Sequence, residues 1–325
     1  MNRRDLIASL CRLLRASEID VTKLVLTAPY QYKHYRIPKR TGGMRDIFHP
    51  TPGLKAAQRW LVAEVLSELR VHPAVYSYVC GIGIRQHAEQ HIHSNFLFRL
   101  DFSDFFPSID LAWLEEFLLA EVQAGRLAVE PDVVPLLLRL VCRFSKADRT
   151  LALSIGAPSS PALSNAILFG IDDAAHRRCT ALDCIYTRYA DDLYVSTRHR
   201  GVLLTAELEL RAIISKLAPK LNVNERKTAN VSKKTKRIVT GLTLTPDRRV
   251  SVGRDMKRAI KTQVYLSING QLSPEDTDRL CGLVAFVRDV EPAFFAALVV
   301  KFGDDVLERL LRRRLQGKVV QGESH

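Results

Sequence analysis

Apolar residues recur over the first fifteen positions at helical spacing, with Leu6, Leu10, Leu13 and Leu14 on one stripe and Asn2 placed to cap the amino end. Residues 32–38 form a short strand-like run. The segment Pro38-Lys39-Arg40-Thr41-Gly42-Gly43-Met44-Arg45-Asp46-Ile47 then reads as a basic hairpin turning on two glycines. From Leu54 the helical period returns through Ala57, Leu61, Val65 and Leu69. Residues 96–102 are a mostly apolar strand closed by Asp101, and the chain then turns into a helix with Leu111, Leu114, Leu118 and Val122 on one side. An apolar helix is expected over 131–144. The Gly156-Ala157-Pro158-Ser159-Ser160-Pro161 loop opens another to about residue 178, with Ser160 as cap and Pro161 at its first position. After a hairpin at 185–196, a helix is expected over 203–217. A second hairpin follows at 237–244, turning at Pro246-Asp247, and the pattern is helical from 255 to about 315. Strands and helices in this order predict an α+β fold.

Chemistry concentrates at the 185–196 hairpin. Aromatic and β-branched residues flank a tight turn whose tip is Tyr189-Ala190-Asp191-Asp192. Like charges ~4 Å apart at an effective dielectric near 20 repel by roughly 4 kcal/mol. A divalent cation held by both carboxylates would offset that repulsion, because hard cations take oxygen ligands. Acidic pairs are also common in surface turns, and Asp172-Asp173 and Asp304-Asp305 are read that way. Asp101 ends a buried strand, where an unpaired carboxylate is costly, so it is either a ligand or a cap. Lys39 and Arg45 flank the glycine turn and are placed to hold a triphosphate, or are ordinary loop cations. His87 and His91 stand four apart on a short helix, without an acidic helper or third ligand. Contact with RNA or helix packing suits His91 better than metal ligation.

Charge sharpens this picture. The chain has 325 residues and a formal net charge of +13, which points to a polyanionic partner. Twelve Lys and Arg against two Asp fall between 226 and 261, among them Lys227, Lys233, Lys234, Lys236, Arg237, Lys257 and Arg258. These are candidates for phosphate contacts. Six cysteines are scattered without paired spacing, which fits reduced thiols in a cytoplasmic protein; neither a leader nor a membrane span is read.

The order of parts resembles a reverse transcriptase over roughly residues 33–290. Leu100-Asp101-Phe102-Ser103-Asp104-Phe105-Phe106-Pro107-Ser108-Ile109 is similar to that family's first catalytic motif. Tyr189-Ala190-Asp191-Asp192 is similar to its catalytic hairpin, and Lys227-Thr228 to the lysine motif that follows. Within the family the chain most resembles bacterial retron enzymes, through Val239-Thr240-Gly241 and through Ala88 and His91 of His87-Ala88-Glu89-Gln90-His91. It departs at His87, where those enzymes carry Asn, and at Ile155, where reverse transcriptases often carry Gln near the nucleotide sugar.

The resemblance implies a right-hand polymerase architecture: an N-terminal helical segment (1–30), interleaved fingers and a palm with an antiparallel sheet (31–245), and a helical thumb (246–325). It implies that Asp101 and Asp191 bridge two Mg²⁺ ions with Asp192 in support. Phe106 would exclude a ribose 2′-OH, Lys39 and Arg45 would hold the dNTP triphosphate, and Lys227 would give a proton to pyrophosphate. The partners implied are a structured noncoding RNA, the branched RNA–DNA copied from it, and an effector protein in anti-phage defence. Residues 226–315 are the expected RNA surface. Two alternatives stand beside this: another bacterial reverse transcriptase lineage, of diversity-generating or other defence type, or a basic RNA-binding scaffold with an inactive palm.

Overall fold

The computed structural model describes residues 1–38 and 42–322, with side chains to Arg313. It is a mixed α/β fold of two compact units. The first comprises Met1–Cys80, Phe98–Val195 and Gly201–Ala229; the second comprises Gly81–Leu97, Ser196–Arg200 and the chain from Asn230 onward.

The first unit opens with the expected helix, Arg3–Leu14, whose Asn2 and Asp5 form a reciprocal capping box. The basic hairpin pairs Tyr32–Pro38 antiparallel with Met44–Pro50, from Tyr32 opposite Pro50 to Pro38 opposite Met44. The glycine turn is partly outside the described residues, and Lys39 lies there. The main sheet runs in the order Cys184–Tyr189, Asp192–Thr197, Phe96–Ser103, Asn222–Val223, so Phe96–Ser103 lies between the acidic hairpin and the segment leading to Lys227. Helices Phe169–Ala181 and Val202–Leu217 pack on each other, and the first also packs on strand Cys184–Tyr189. Phe98, Leu100, Leu193 and Val195 of the sheet are fully buried, as are Leu114 and Leu118 of helix Leu111–Gln123.

Several helical expectations shift: the helix read from Leu54 ends at Glu64, and that expected over 131–144 is Val134–Val141, followed by strand Arg143–Ser145. The helix after the Gly-Ala-Pro loop starts at Ser160 itself, whose hydroxyl turns back to the Ser154 carbonyl instead of capping. It ends at Ile167, and a new helix starts at Phe169, so the single helix to residue 178 is two.

In the second unit, strands Arg237–Val239, Leu242–Leu244 and Val250–Ser251 form a three-stranded antiparallel sheet. The 237–244 hairpin turns at Thr240-Gly241, where both residues have positive φ, and not at Pro246-Asp247. A two-residue turn of that kind matches the twist of its strands. Pro246-Asp247 lies in the next connection, closed by the Thr245 amide donating to the Arg249 carbonyl. Four helices complete the unit: Arg254–Ile268, Pro274–Val290, Pro292–Phe302 and Asp304–Gly322. No helix among the described residues is long and apolar enough to cross a membrane.

Candidate active site

The site assembles in the first unit through backbone register. The Phe102 amide donates to the Asp191 carbonyl at 3.2 Å, pinning the hairpin tip beside the strand residue that follows Asp101. The Asn224 amide donates to the Asp101 carbonyl at 2.8 Å, and the Lys227 amide donates to the Asn224 carbonyl at 3.1 Å. That short turn delivers the Lys227 ammonium to both carboxylate oxygens of Asp101, at 2.9 and 3.0 Å. Asp101 is 4% exposed, and its buried carboxylate is paired with Lys227. Arg99 donates to the Lys227 carbonyl at 3.1 Å and steadies the turn.

The three carboxylates sense one another. The Asp191 carboxyl is pushed above its usual range first by burial and further by the charge of Asp101, with Lys227 and Arg45 opposing. Asp192 is pushed up to about 7, first by burial, then by the Asp191 charge; Arg99 and Lys227 oppose it. The Tyr194 hydroxyl donates to Asp192 Oδ2 at 3.3 Å. Among the described residues, no three His, Cys, Asp or Glu side chains are gathered closely enough to enclose an ion by themselves. The donor set is nonetheless three carboxylates in mutual repulsion, the oxygen-only chemistry that suits a hard divalent cation. Arg45 is exposed, and its charge opposes the upward push on the Asp191 carboxyl. Phe106 is half-buried, with its ring 5.2 Å from that of Phe105.

The turn itself is strained and supported. Ala190 has φ of +55°, an uncommon region for a residue with a side chain. Its amide donates to Ser77 Oγ at 2.7 Å, and its carbonyl accepts from Arg188 Nη1 at 3.1 Å. Arg188 is 1% exposed and forms a salt bridge at 2.7 Å with Asp172, which is fully buried. Asn165 Oδ1 accepts from Arg188 Nη1 at 3.1 Å, Asn165 Nδ2 donates to the Ser77 carbonyl at 2.9 Å, and the Tyr186 hydroxyl donates to Asp172 at 2.8 Å. This network escaped the sequence reading, and Asp172-Asp173 as a surface pair is corrected: Asp172 is a core residue of helix Phe169–Ala181. Its signal was present. Asp172 shares a helical face with Ile171, Ala175 and Cys179, and Arg188 lies on the same strand face as Tyr186; a charge on each apolar face calls for the other.

The loop Gly156-Ala157-Pro158 is fixed to the basic hairpin by the Phe48 amide, which donates to the Ile155 carbonyl at 2.9 Å. Gly156 has φ of +109°, and a Cβ there would stand 2.8 Å from the Phe48 carbonyl oxygen, so only glycine fits.

In the second unit two candidates for nucleic-acid contact are corrected. His91 is fully buried, its Nδ1 2.7 Å from Ser196 Oγ, and its ring lies edge-on to His87 at 5.6 Å. Burial pushes His87 down to about 2 and His91 down to about 3, so both are neutral packing residues. Arg237 is 3% exposed because strand alternation turns it inward with Val239; its guanidinium donates to the Ser94 carbonyl. Lys257 is half-buried and paired with Glu291, whereas Lys233, Lys234, Lys236 and Arg258 are exposed.

A family model for reverse transcriptase (RNA-dependent DNA polymerase) matches residues 37–244. Retron Ec83 reverse transcriptase of Escherichia coli is 35% identical over 283 residues, covering 86% of this chain and 89% of that protein. Retron Ec86 reverse transcriptase of Escherichia coli is 27% identical, covering 91% and 90%. Retron Mx162 reverse transcriptase of Myxococcus xanthus is 30% identical, covering 86% and 64%. Among solved structures, telomerase from Candida albicans aligns with a TM-score of 0.48 at 14% identity, covering 82% of this chain and 55% of that one. The chain belongs to the reverse transcriptase family, and retron reverse transcriptases are among its relatives.

Proposed function

We propose that this protein is a retron-type reverse transcriptase, copying part of a structured noncoding RNA into DNA from the 2′-OH of an internal guanosine. The product is a branched RNA–DNA molecule, and the enzyme works in the cytoplasm, in anti-phage defence, beside an effector protein. On this reading residues 31–245 are fingers and palm, residues 246–325 are the thumb, and residues 1–30 precede both. The observation that carries the reading is the electrostatic coupling of Asp101, Asp191 and Asp192 beside Lys227, in a chain of this family.

Magnesium, when held by Asp101, Asp191 and Asp192, supplies a lowered pKa for the attacking hydroxyl and neutralises charge on the triphosphate. The protein's own part is positioning. The Phe102–Asp191 register holds two strands at one depth, so that the carboxylates of both face the same reacting phosphate. Arg45 contributes positive charge toward the triphosphate, and Phe106 offers an apolar edge to the sugar. Lys227 offsets the Asp101 charge and is a source of a proton for departing pyrophosphate.

Asp191→Asn and Asp192→Asn should each lower Mg²⁺-dependent dNTP incorporation by roughly 100- to 1,000-fold or more while leaving RNA binding intact. Incorporation at the parental rate by both variants would end the metal assignment. Recovery of branched RNA–DNA from cells carrying the gene with its flanking DNA tests the retron assignment separately.

A further inference from the structure

Tyr78, close in the chain to residues that hold the acidic hairpin, is not used by the mechanism above. It has φ of +59°, a conformation rare for a bulky side chain, and its side chain is 58% exposed. Such strain persists only where surroundings enforce it, and it clusters at functional sites.

The surroundings that enforce it are the acidic hairpin itself. The Tyr76 amide donates to the Arg188 carbonyl at 2.9 Å. Ser77 Oγ accepts from the Ala190 amide at 2.7 Å, and the Ser77 carbonyl accepts from Asn165 Nδ2 at 2.9 Å. Residues 76 and 77 are thus fastened to Arg188 and Ala190 of the acidic hairpin and to Asn165, and residue 78 follows them directly. The phenol of Tyr78 is raised above its ordinary range, first by desolvation and then by the Asp191 and Tyr189 charges, with Arg45 opposing, so its hydroxyl end lies within the field of the site. An exposed aromatic residue whose neighbours in the chain are fastened to the acidic hairpin, and whose hydroxyl feels Asp191 and Arg45, is suited to a flat apolar partner that carries phosphate. Nucleobases have that chemistry, and stacking on them is tolerant of sequence.

We propose that Tyr78 is a stacking platform for a nucleobase at the carboxylate site. The inference rests on the polymerase reading above. The base belongs either to the primer terminus or to the incoming nucleotide, and the two sources separate by experiment.

The test uses the full chain with a dideoxy-terminated DNA primer on an RNA template, so that binding is read without chemistry. One arm places 2-aminopurine at the primer terminus and follows its fluorescence and the Kd of the duplex. The other measures the Kd of the complementary dNTP in the ternary complex. Tyr78→Gly removes the ring and relieves the backbone, so its thermal midpoint should match or exceed the parent's. If the primer base stacks, Tyr78→Gly loses the fluorescence quench and weakens duplex binding roughly 10-fold, with dNTP affinity unchanged. If the incoming base stacks, dNTP affinity falls roughly 10-fold and the quench stays. Tyr78→Phe keeps the ring and should retain whichever signal Tyr78→Gly loses. A folded Tyr78→Gly protein with both affinities and the quench unaltered would overturn the proposal. Failure of the parent protein to incorporate dNTPs on an unblocked primer would count instead against the polymerase reading.

Discussion

Lys227 lies on both oxygens of Asp101 and lowers the pKa of Asp191 and Asp192 as well. Its removal by Lys227→Met should therefore let both carboxyls hold their protons to higher pH. The acid limb of the pH–rate profile then moves upward, and the rate near pH 7 falls by roughly 10-fold for each unit of that movement. An acid limb that stays in place would show that Lys227 is not setting these charges. At this scale the sequence was legible where chemistry is written in residue type. Asp191 and Asp192 stood out as adjacent carboxylates and Asp101 as an acid closing an apolar strand, while Lys227 was singled out by the resemblance of Lys227-Thr228 to a family motif. It was illegible where orientation decides. His91 and Arg237 look like contacts for RNA in one dimension, yet each points into a core, and only the fold tells which side of a short strand or helix is dry.

Strands and helices hold the acidic turn through the Arg188–Asp172 pair, which joins strand Cys184–Tyr189 to helix Phe169–Ala181. Arg188→Met leaves Asp172 buried without its cation and should cost on the order of 3–5 kcal/mol in urea denaturation. The double variant Arg188→Met with Asp172→Leu should regain much of that stability, because an apolar pair of similar volume avoids the desolvation cost. Incorporation should stay low in both variants, since the Ala190 carbonyl and Asn165 have lost the guanidinium that ties them together. A double variant that recovers stability and rate alike would make the pair structural only. Hydrophobic period was sufficient to find most elements, and residue type found the cap at Asn2 and the hairpin around Gly42-Gly43. The break at Leu168 and the turn at Thr240-Gly241 were missed. The first lies inside an unbroken apolar pattern, and the second places a β-branched residue at positive φ, against its preference.

For the molecule as a whole, a net charge of +13 means that the nucleic-acid binding proposed above should depend steeply on salt. The structure divides the basic residues of helix Arg254–Ile268 by what they face: Arg258 and Lys261 are exposed, while Lys257 is bound to Glu291. Arg258→Glu with Lys261→Glu should flatten the slope of log K against log salt by about 1.5 to 2 for RNA or duplex, as two phosphate contacts are lost. Lys257→Glu should chiefly lower the melting temperature, by placing two carboxylates together. A slope left unchanged by the exposed pair would put the phosphate contacts on another surface.

The junction of Ile155 and Gly156 separates what drift can alter from what it cannot. Residue 155 serves the fold through its main-chain carbonyl, which any amino acid provides, so its side chain is at liberty to change. Residue 156 has no such latitude, since a single methyl group would strike the neighbouring backbone. Side-chain chemistry can thus vary at one position while the next one anchors the scaffold, and an apolar residue at 155 is one the architecture absorbs without repair.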